Sequence, residues 1–435
     1  MTEADNIKSQ IFSLVEKYTH LVHAKKDFIP GESAIPVSGK VFDHKEIQNI
    51  VDSALDGWFT TGRFNTEFEK KLASIIGVKK LLTVNSGSSA NLLAVAALSD
   101  NQWGDKAIQP GDEFITTPVS FPTTINPLLQ YGLIPVFVDC ELQTYNINVD
   151  LIEEAITPKT KVIMVAHTLG NPYQIDKIIA LAKKYNLWVI EDCCDALGAS
   201  YQDKHVGTFG DIGTLSFYPA HHITMGEGGA VFTSNSKMAK ILESYRDWGR
   251  DCWCETGTDN TCGKRFCWQL GDLPYGYDHK YIYSRVGYNL KITDMQAALG
   301  LAQLEKLSDF VSLRRKNFER LKSGLQGLSH KLLLPEATTD SNPSWFGFLI
   351  TIKAEAEKSR EEVVSYLTEN KIATRLLFAG DIRKQPYFKT ISYREIGTFE
   401  NTSVVLNNTF WIGVTPMIND EMIDYVLGKM HELFL

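Results

Sequence analysis

The chain has 435 residues, 44% of them apolar and 22% charged, with a net charge of −8. That length suffices for two or three domains with a substantial core, and the acidic balance excludes non-specific attraction to nucleic acid or to an anionic membrane. The polar start lacks a signal peptide's pattern, no apolar run is long enough for a bilayer, and seven cysteines is an odd count for a secreted disulfide framework, so a cytoplasmic protein is expected.

Residues 1–40 read as a polar N-terminal arm, helical in pattern. From 41 to 300, short apolar runs alternate with helical patterns. Strands are predicted over 80–84, 113–117, 134–139, 161–166, 187–192, 213–217 and 229–233, with helices over 90–98 and 176–185. Short buried strands alternating with helices predict an α/β fold with a mostly parallel sheet covered on both faces. Ligands of such sheets bind at the carboxyl ends of the strands. The pattern breaks over 251–285, rich in Cys, Gly, Trp and Tyr. This stretch reads as an ordered insertion, because loops this long are rarely idle. One long helix is predicted over 293–323, with Gly324 as its stop signal. Residues 301–435 read as a smaller C-terminal α/β domain, with a strand over 345–352, a helix over 360–370 and a strand over 373–378.

Three segments suggest a cofactor site. Ser86-Gly87-Ser88-Ser89-Ala90-Asn91 joins a strand to a helix. A helix N-terminus offers free N–H groups to a phosphate, although serine also caps helices for structural reasons. Asp192 ends the apolar strand 187–192, where a carboxylate can keep a pyridine nitrogen protonated or simply cap the next segment. The third segment runs from Gly210 through Ser216-Phe217-Tyr218-Pro219-Ala220-His221-His222 to Gly226-Glu227-Gly228-Gly229.

Together these motifs resemble the sugar aminotransferase family of the aspartate-aminotransferase fold, the fold-type I PLP-dependent transferases. That family reads Ser-Phe, three residues, the cofactor lysine, then Gly-Glu-Gly-Gly. The segment 287–298, Gly-Tyr-Asn-Leu-Lys-Ile-Thr-Asp-Met-Gln-Ala-Ala, also matches. The resemblance implies that Gly87, Ser88 and Ser216 hold the cofactor phosphate and that Asp192 pairs with the pyridine nitrogen. It implies that Asn289 reaches the phosphate bound by a neighbouring subunit, hence a homodimer. Phe121 is a candidate to stack on the ring, or else a core aromatic.

The departure from the family is His221, which stands where the lysine belongs. No lysine lies between Lys204 and Lys237, so a shift of register cannot restore one. Without that amine the cofactor cannot be held covalently. A histidine still moves protons near neutral pH. The expectation is pyridoxamine phosphate (PMP) bound reversibly, His221 as general base, and dehydration of a keto-sugar in place of amine transfer. His222 is adjacent, and the choice between the two rests on register alone.

Cys194, Cys252, Cys254 and Cys262 have the spacing C-x57-C-x-C-x7-C. Four thiolates hold a [2Fe–2S] cluster or a zinc ion; the Cys-x2-Cys pairs usual for zinc are absent. Cys193 is an alternative to Cys194. The spacing resembles a histidine-type 3-dehydratase branch of the same family, which carries a [2Fe–2S] cluster and acts on a CDP-linked 4-keto-6-deoxyhexose. This resemblance implies a nucleotide-sugar substrate and a separate reductase as electron donor, giving a 3-deoxy sugar for bacterial surface polysaccharide. Competing readings are a GDP-sugar 3-deoxygenase, a lysine-independent aminotransferase, and a cofactor-binding protein without catalysis.

Overall fold

The computed structural model describes residues 2–24, 26–254 and 257–434. Its centre is an eight-stranded sheet. The strand order is Lys80–Val84, Gly229–Thr233, Ile212–Ser216, Trp188–Asp192, Thr160–Ala166, Glu113–Thr116, Ile134–Val138 and Arg394–Ile396. Gly229–Thr233 runs antiparallel to both neighbours; the other pairings are parallel. Five consecutive buried residues in Trp188–Asp192, Ile212–Ser216 and Gly229–Thr233 explain why the sequence reads there as continuous apolar runs. Apolar side chains on both faces form two large clusters. One holds Phe68, Phe217 and Leu301, the other Leu93, Phe114 and Ile190. The α/β class and the mostly parallel sheet agree with the sequence reading.

The N-terminal segment carries the helix Glu3–Val22, started by a reciprocal cap between Thr2 and Asp5. A second, four-stranded sheet of Leu332–Leu333, Gly347–Ile352, Thr409–Gly413 and Thr374–Arg375 packs around Phe348, Ile350 and Phe410. The strand Arg394–Ile396 leaves this region and joins the edge of the large sheet beside Ile134–Val138.

The long helix expected over 293–323 is two helices, Asp294–Leu304 and Leu307–Leu325. At the break, Lys306 reaches Asp43 at 3.0 Å and also pairs with buried Glu46. The two helices serve different cores. Ala297 and Leu301 pack beneath the large sheet, whereas Phe318 and Leu321 pack on the small one. Gly324 lies inside the second helix rather than beyond it. A side chain there would meet Leu427 Cδ1 at 2.5 Å, so this glycine serves helix packing. No helix is long and apolar enough to cross a membrane among the described residues.

Candidate active site

The helix Gly87–Leu98 begins where Lys80–Val84 ends. Ser86 caps it, its Oγ accepting the Ser89 N–H at 3.0 Å. First-turn amides such as those of Gly87 and Ser88 have no carbonyl partner within a helix. A Cβ on Gly87 would stand 2.5 Å from Ser216 Cβ and 3.0 Å from Cys194 Sγ. Only glycine lets these three residues converge, and they form a cradle at the carboxyl ends of three strands. Ser88 is exposed at its rim, and its Oγ meets Thr123 Oγ1 at 3.2 Å.

Asp192 ends the strand Trp188–Asp192 and is buried. Its Oδ2 accepts hydrogen bonds from Asn91 Nδ2 at 2.9 Å and Thr124 Oγ1 at 2.8 Å. Its Oδ1 accepts from the Cys194 N–H at 3.1 Å. Asn91 is itself fixed, its Oδ1 accepting from Thr214 Oγ1 at 2.7 Å. Three donors from three elements thus orient one carboxylate.

The two adjacent histidines differ completely. His222 is buried and donates Nε2–H to the Ser344 carbonyl at 2.9 Å. Burial, helped by Arg314, pushes it well below the usual histidine range. His221 keeps its side chain 15% exposed, and its Nδ1 lies 3.3 Å from Asp195 Oδ1. Its ring packs 5.2 Å from Phe346. Buried Arg314 donates to the carbonyls of His221, Trp345 and Phe346 at 3.3–3.4 Å, tying this turn to the segment that leads into the strand Gly347–Ile352. Burial lowers that guanidinium to about 10.

Phe121 precedes the helix Pro122–Gln130 and is 51% exposed, so it is not a core aromatic. Asn289 is exposed and pairs by backbone with Asp247.

The insertion gathers part of the cysteine set. Ligand atoms of Cys252, Cys254 and His279 lie within 4.8 Å of one another. Cys262 Sγ lies 3.5 Å from His279 Nε2. Backbone N–H groups point at two sulfurs: Cys254 N–H at Cys252 Sγ, 3.5 Å, and Lys264 N–H at Cys262 Sγ, 3.4 Å. Burial raises the Cys254 thiol, but hydrogen bonds from Thr261, the Cys262 backbone, Cys252 and His279 outweigh it and bring it down to about 6. Cys194 is in no group of three such ligands among the described residues; its sulfur faces the Gly87 cradle. Cys193 points the other way, into the core, with its Sγ 3.5 Å from the Glu191 carbonyl oxygen.

Sequence reading passed over Asn91, Thr124, Asp195, Arg314 and His279. Asp195 carried a weak signal, three residues after Asp192 in the same turn. Asn91 closes the quoted Ser86–Asn91 segment, and the others are brought in by distant elements.

A family model described as the DegT/DnrJ/EryC1/StrS aminotransferase family matches residues 41–431. The chain is 58% identical over 431 residues to the lipopolysaccharide biosynthesis protein RfbH of Salmonella typhimurium, covering 99% of each chain. It is 51% identical over 425 residues to dTDP-4-dehydro-2,6-dideoxy-D-glucose 3-dehydratase of Saccharopolyspora spinosa, covering 98% of this chain and 92% of the relative. Among solved structures it is similar to E. coli GDP-4-keto-6-deoxy-D-mannose-3-dehydratase with bound hydrated PLP. There the TM-score is 0.80 at 30% identity, over 92% of this chain and 99% of that one. With nearly its whole length matched, the chain belongs to the DegT/DnrJ/EryC1/StrS aminotransferase family.

Proposed function

We propose that the chain removes the 3-hydroxyl of a nucleotide-linked 4-keto-6-deoxyhexose, using reversibly bound pyridoxamine phosphate and a [2Fe–2S] cluster. The CDP-linked sugar, CDP-4-dehydro-6-deoxyglucose, is the first candidate substrate. The dTDP-linked sugar named for the 51% identical relative is the second. The product is a 3-deoxy sugar of the kind that enters 3,6-dideoxyhexose biosynthesis.

One observation carries this reading. A histidine paired with a carboxylate, His221 with Asp195, stands where the family resemblance expects lysine. The surrounding residues fit the cofactor. The Gly87–Ser216 cradle leaves the space a side chain would fill, and the fixed carboxylate of Asp192 suits a protonated pyridine nitrogen. When bound, the cofactor supplies an amine for the sugar ketone and an electron sink for the bond changes beside it. In this reading Gly87, Ser88 and Ser216 hold the phosphate, and Asn289 reaches the phosphate of a second subunit. Phe121 covers the ring. His221, with Nδ1 on Asp195, moves protons through Nε2 as the hydroxyl departs as water.

The net change is uptake of two electrons and two protons, with release of one water. A separate flavin or iron–sulfur reductase supplies the electrons. Cys252, Cys254 and Cys262 fit a metal centre by donor type and by the N–H groups aimed at the sulfurs of Cys252 and Cys262. Cys194, on the cradle side, is the expected fourth ligand by spacing. A cluster held there supplies electrons singly.

The test is anaerobic purification with iron, sulfide and B6 analysis, followed by assay with CDP-, dTDP- and GDP-linked 4-keto-6-deoxy sugars in 18O-water. The reading expects iron and sulfide, releasable cofactor, and reductase-dependent 3-deoxy product. Transfer of an amine to the sugar, or no turnover of any of the three, would overturn it.

A further inference from the structure

Among the described side chains of metal-ligating type in the insertion, His279 is one that no reading of the sequence used. It is buried, 1% exposed, and lies in the short turn His279–Tyr281. That turn is anchored from both sides. The His279 N–H donates to the Arg265 carbonyl at 3.1 Å. Arg265 in turn clasps Asp278 with contacts of 2.6 and 3.0 Å. The rings of Trp253 and Trp268 each sit 5.9 Å from the imidazole, so water is held off on those sides.

The imidazole points into the thiol cluster. Its Nε2 is 3.5 Å from Cys262 Sγ, a hydrogen-bond distance for sulfur, and it stands within 4.8 Å of the sulfurs of Cys252 and Cys254. Its Nδ1 is buried without a hydrogen-bond partner among the described residues. A thiolate is an acceptor only, so the proton belongs on Nε2, facing sulfur. A buried donor aimed at a cluster sulfur stabilises the reduced form more than the oxidised form, because the added electron raises negative charge on the sulfurs.

We propose that His279 donates a hydrogen bond to Cys262 and thereby raises the reduction potential of the metal–sulfur centre, acting as a positioning and tuning residue rather than as a ligand. This rests on the iron–sulfur reading given above. With the donor in place, the centre accepts electrons more readily from the reductase. The two N–H groups that bond Cys252 and Cys262 act in the same direction, but they belong to the backbone. His279 is the side chain through which the potential can be changed by substitution.

The experiment compares anaerobically loaded wild-type protein with His279→Ala and His279→Gln. Iron, acid-labile sulfide and the midpoint potential are measured by dye-mediated titration with visible and EPR detection. His279→Ala should keep iron and sulfide and shift the midpoint to more negative potential. His279→Gln retains an N–H donor and should recover part of that shift. Should His279→Ala fail to fold, the wild-type protein grown with 15N-histidine still decides the matter. Pulsed EPR of its reduced state should show only weak coupling to histidine nitrogen. Strong coupling, as from a directly bound imidazole, would overturn the proposal, as would an unchanged midpoint in His279→Ala. Wild-type protein without iron and sulfide would overturn the iron–sulfur reading itself, and this proposal with it.

Discussion

His221 Nδ1 lies 3.3 Å from Asp195 Oδ1, and Asp195 comes from the same turn that carries Asp192. One turn therefore supplies the carboxylate read as the pyridine partner and the carboxylate that stands beside the histidine. Replacing Asp195 by Asn should leave the cofactor bound and lower turnover by about tenfold or more, a barrier change of about 1.4 kcal/mol. Unchanged turnover would mean that Asp195 does not act through His221.

His221→Asn should abolish dehydration, by about 10²–10⁴-fold for loss of a positioned general base. Cofactor affinity, read by equilibrium dialysis, should change little. His222→Asn should instead lower thermal stability, because buried His222 holds the Ser344 carbonyl. If His222→Asn removed dehydration at full stability, the roles would be reversed.

Borohydride treatment of the loaded enzyme should leave no cofactor attached to any peptide, since no lysine lies between Lys204 and Lys237. Peptide mass spectrometry reads this directly, and a labelled lysine would refute reversible binding.

Gly87→Ala should weaken cofactor binding and destabilise the fold by about 1–3 kcal/mol, the usual range for overpacking. The added carbon meets Ser216 Cβ at 2.5 Å, in the middle of the cradle. Phosphate competition against the bound cofactor would measure the first effect, and urea unfolding the second.

Stability should fall in mild acid, in part because of His222. Burial holds its folded-state pKa well below the unfolded value, which is about 6.5. The unfolded chain therefore binds more protons than the fold once pH drops through that value. The contribution is fully present above pH of about 6.5 and declines below it, by at most about 1.4 kcal/mol per pH unit. Urea midpoints at pH 7.5 and 5.5 should differ less in His222→Gln than in wild type.

The strands around the site were legible because they are buried on both faces and read as unbroken apolar runs. Asp192 was legible because it ends such a run. The break between the helices Asp294–Leu304 and Leu307–Leu325 was not, since no glycine or proline marks it. It depends on Lys306 meeting Asp43 and Glu46, more than two hundred residues away in sequence. Arg314 was passed over, although it is buried against three carbonyls, because nothing in its own helix marks them. His279 gave no sign either, because its place among the cysteines is set by the irregular path of the insertion. The strand Arg394–Ile396 is only three residues long, two of them charged and none fully buried, too little for any periodicity to show.

That short strand also bears on how the protein is made. It pairs with Ile134–Val138 at the margin of the large sheet, yet it emerges from the ribosome long after every other strand of that sheet. Until it arrives, the row of backbone groups along Ile134–Val138 has no partner on that side, and an open apolar margin recruits other chains. A fragment ending before residue 394 should therefore aggregate rather than fold into a half-enzyme, and a nascent chain must wait for its last tenth before the sheet's outer margin is sealed.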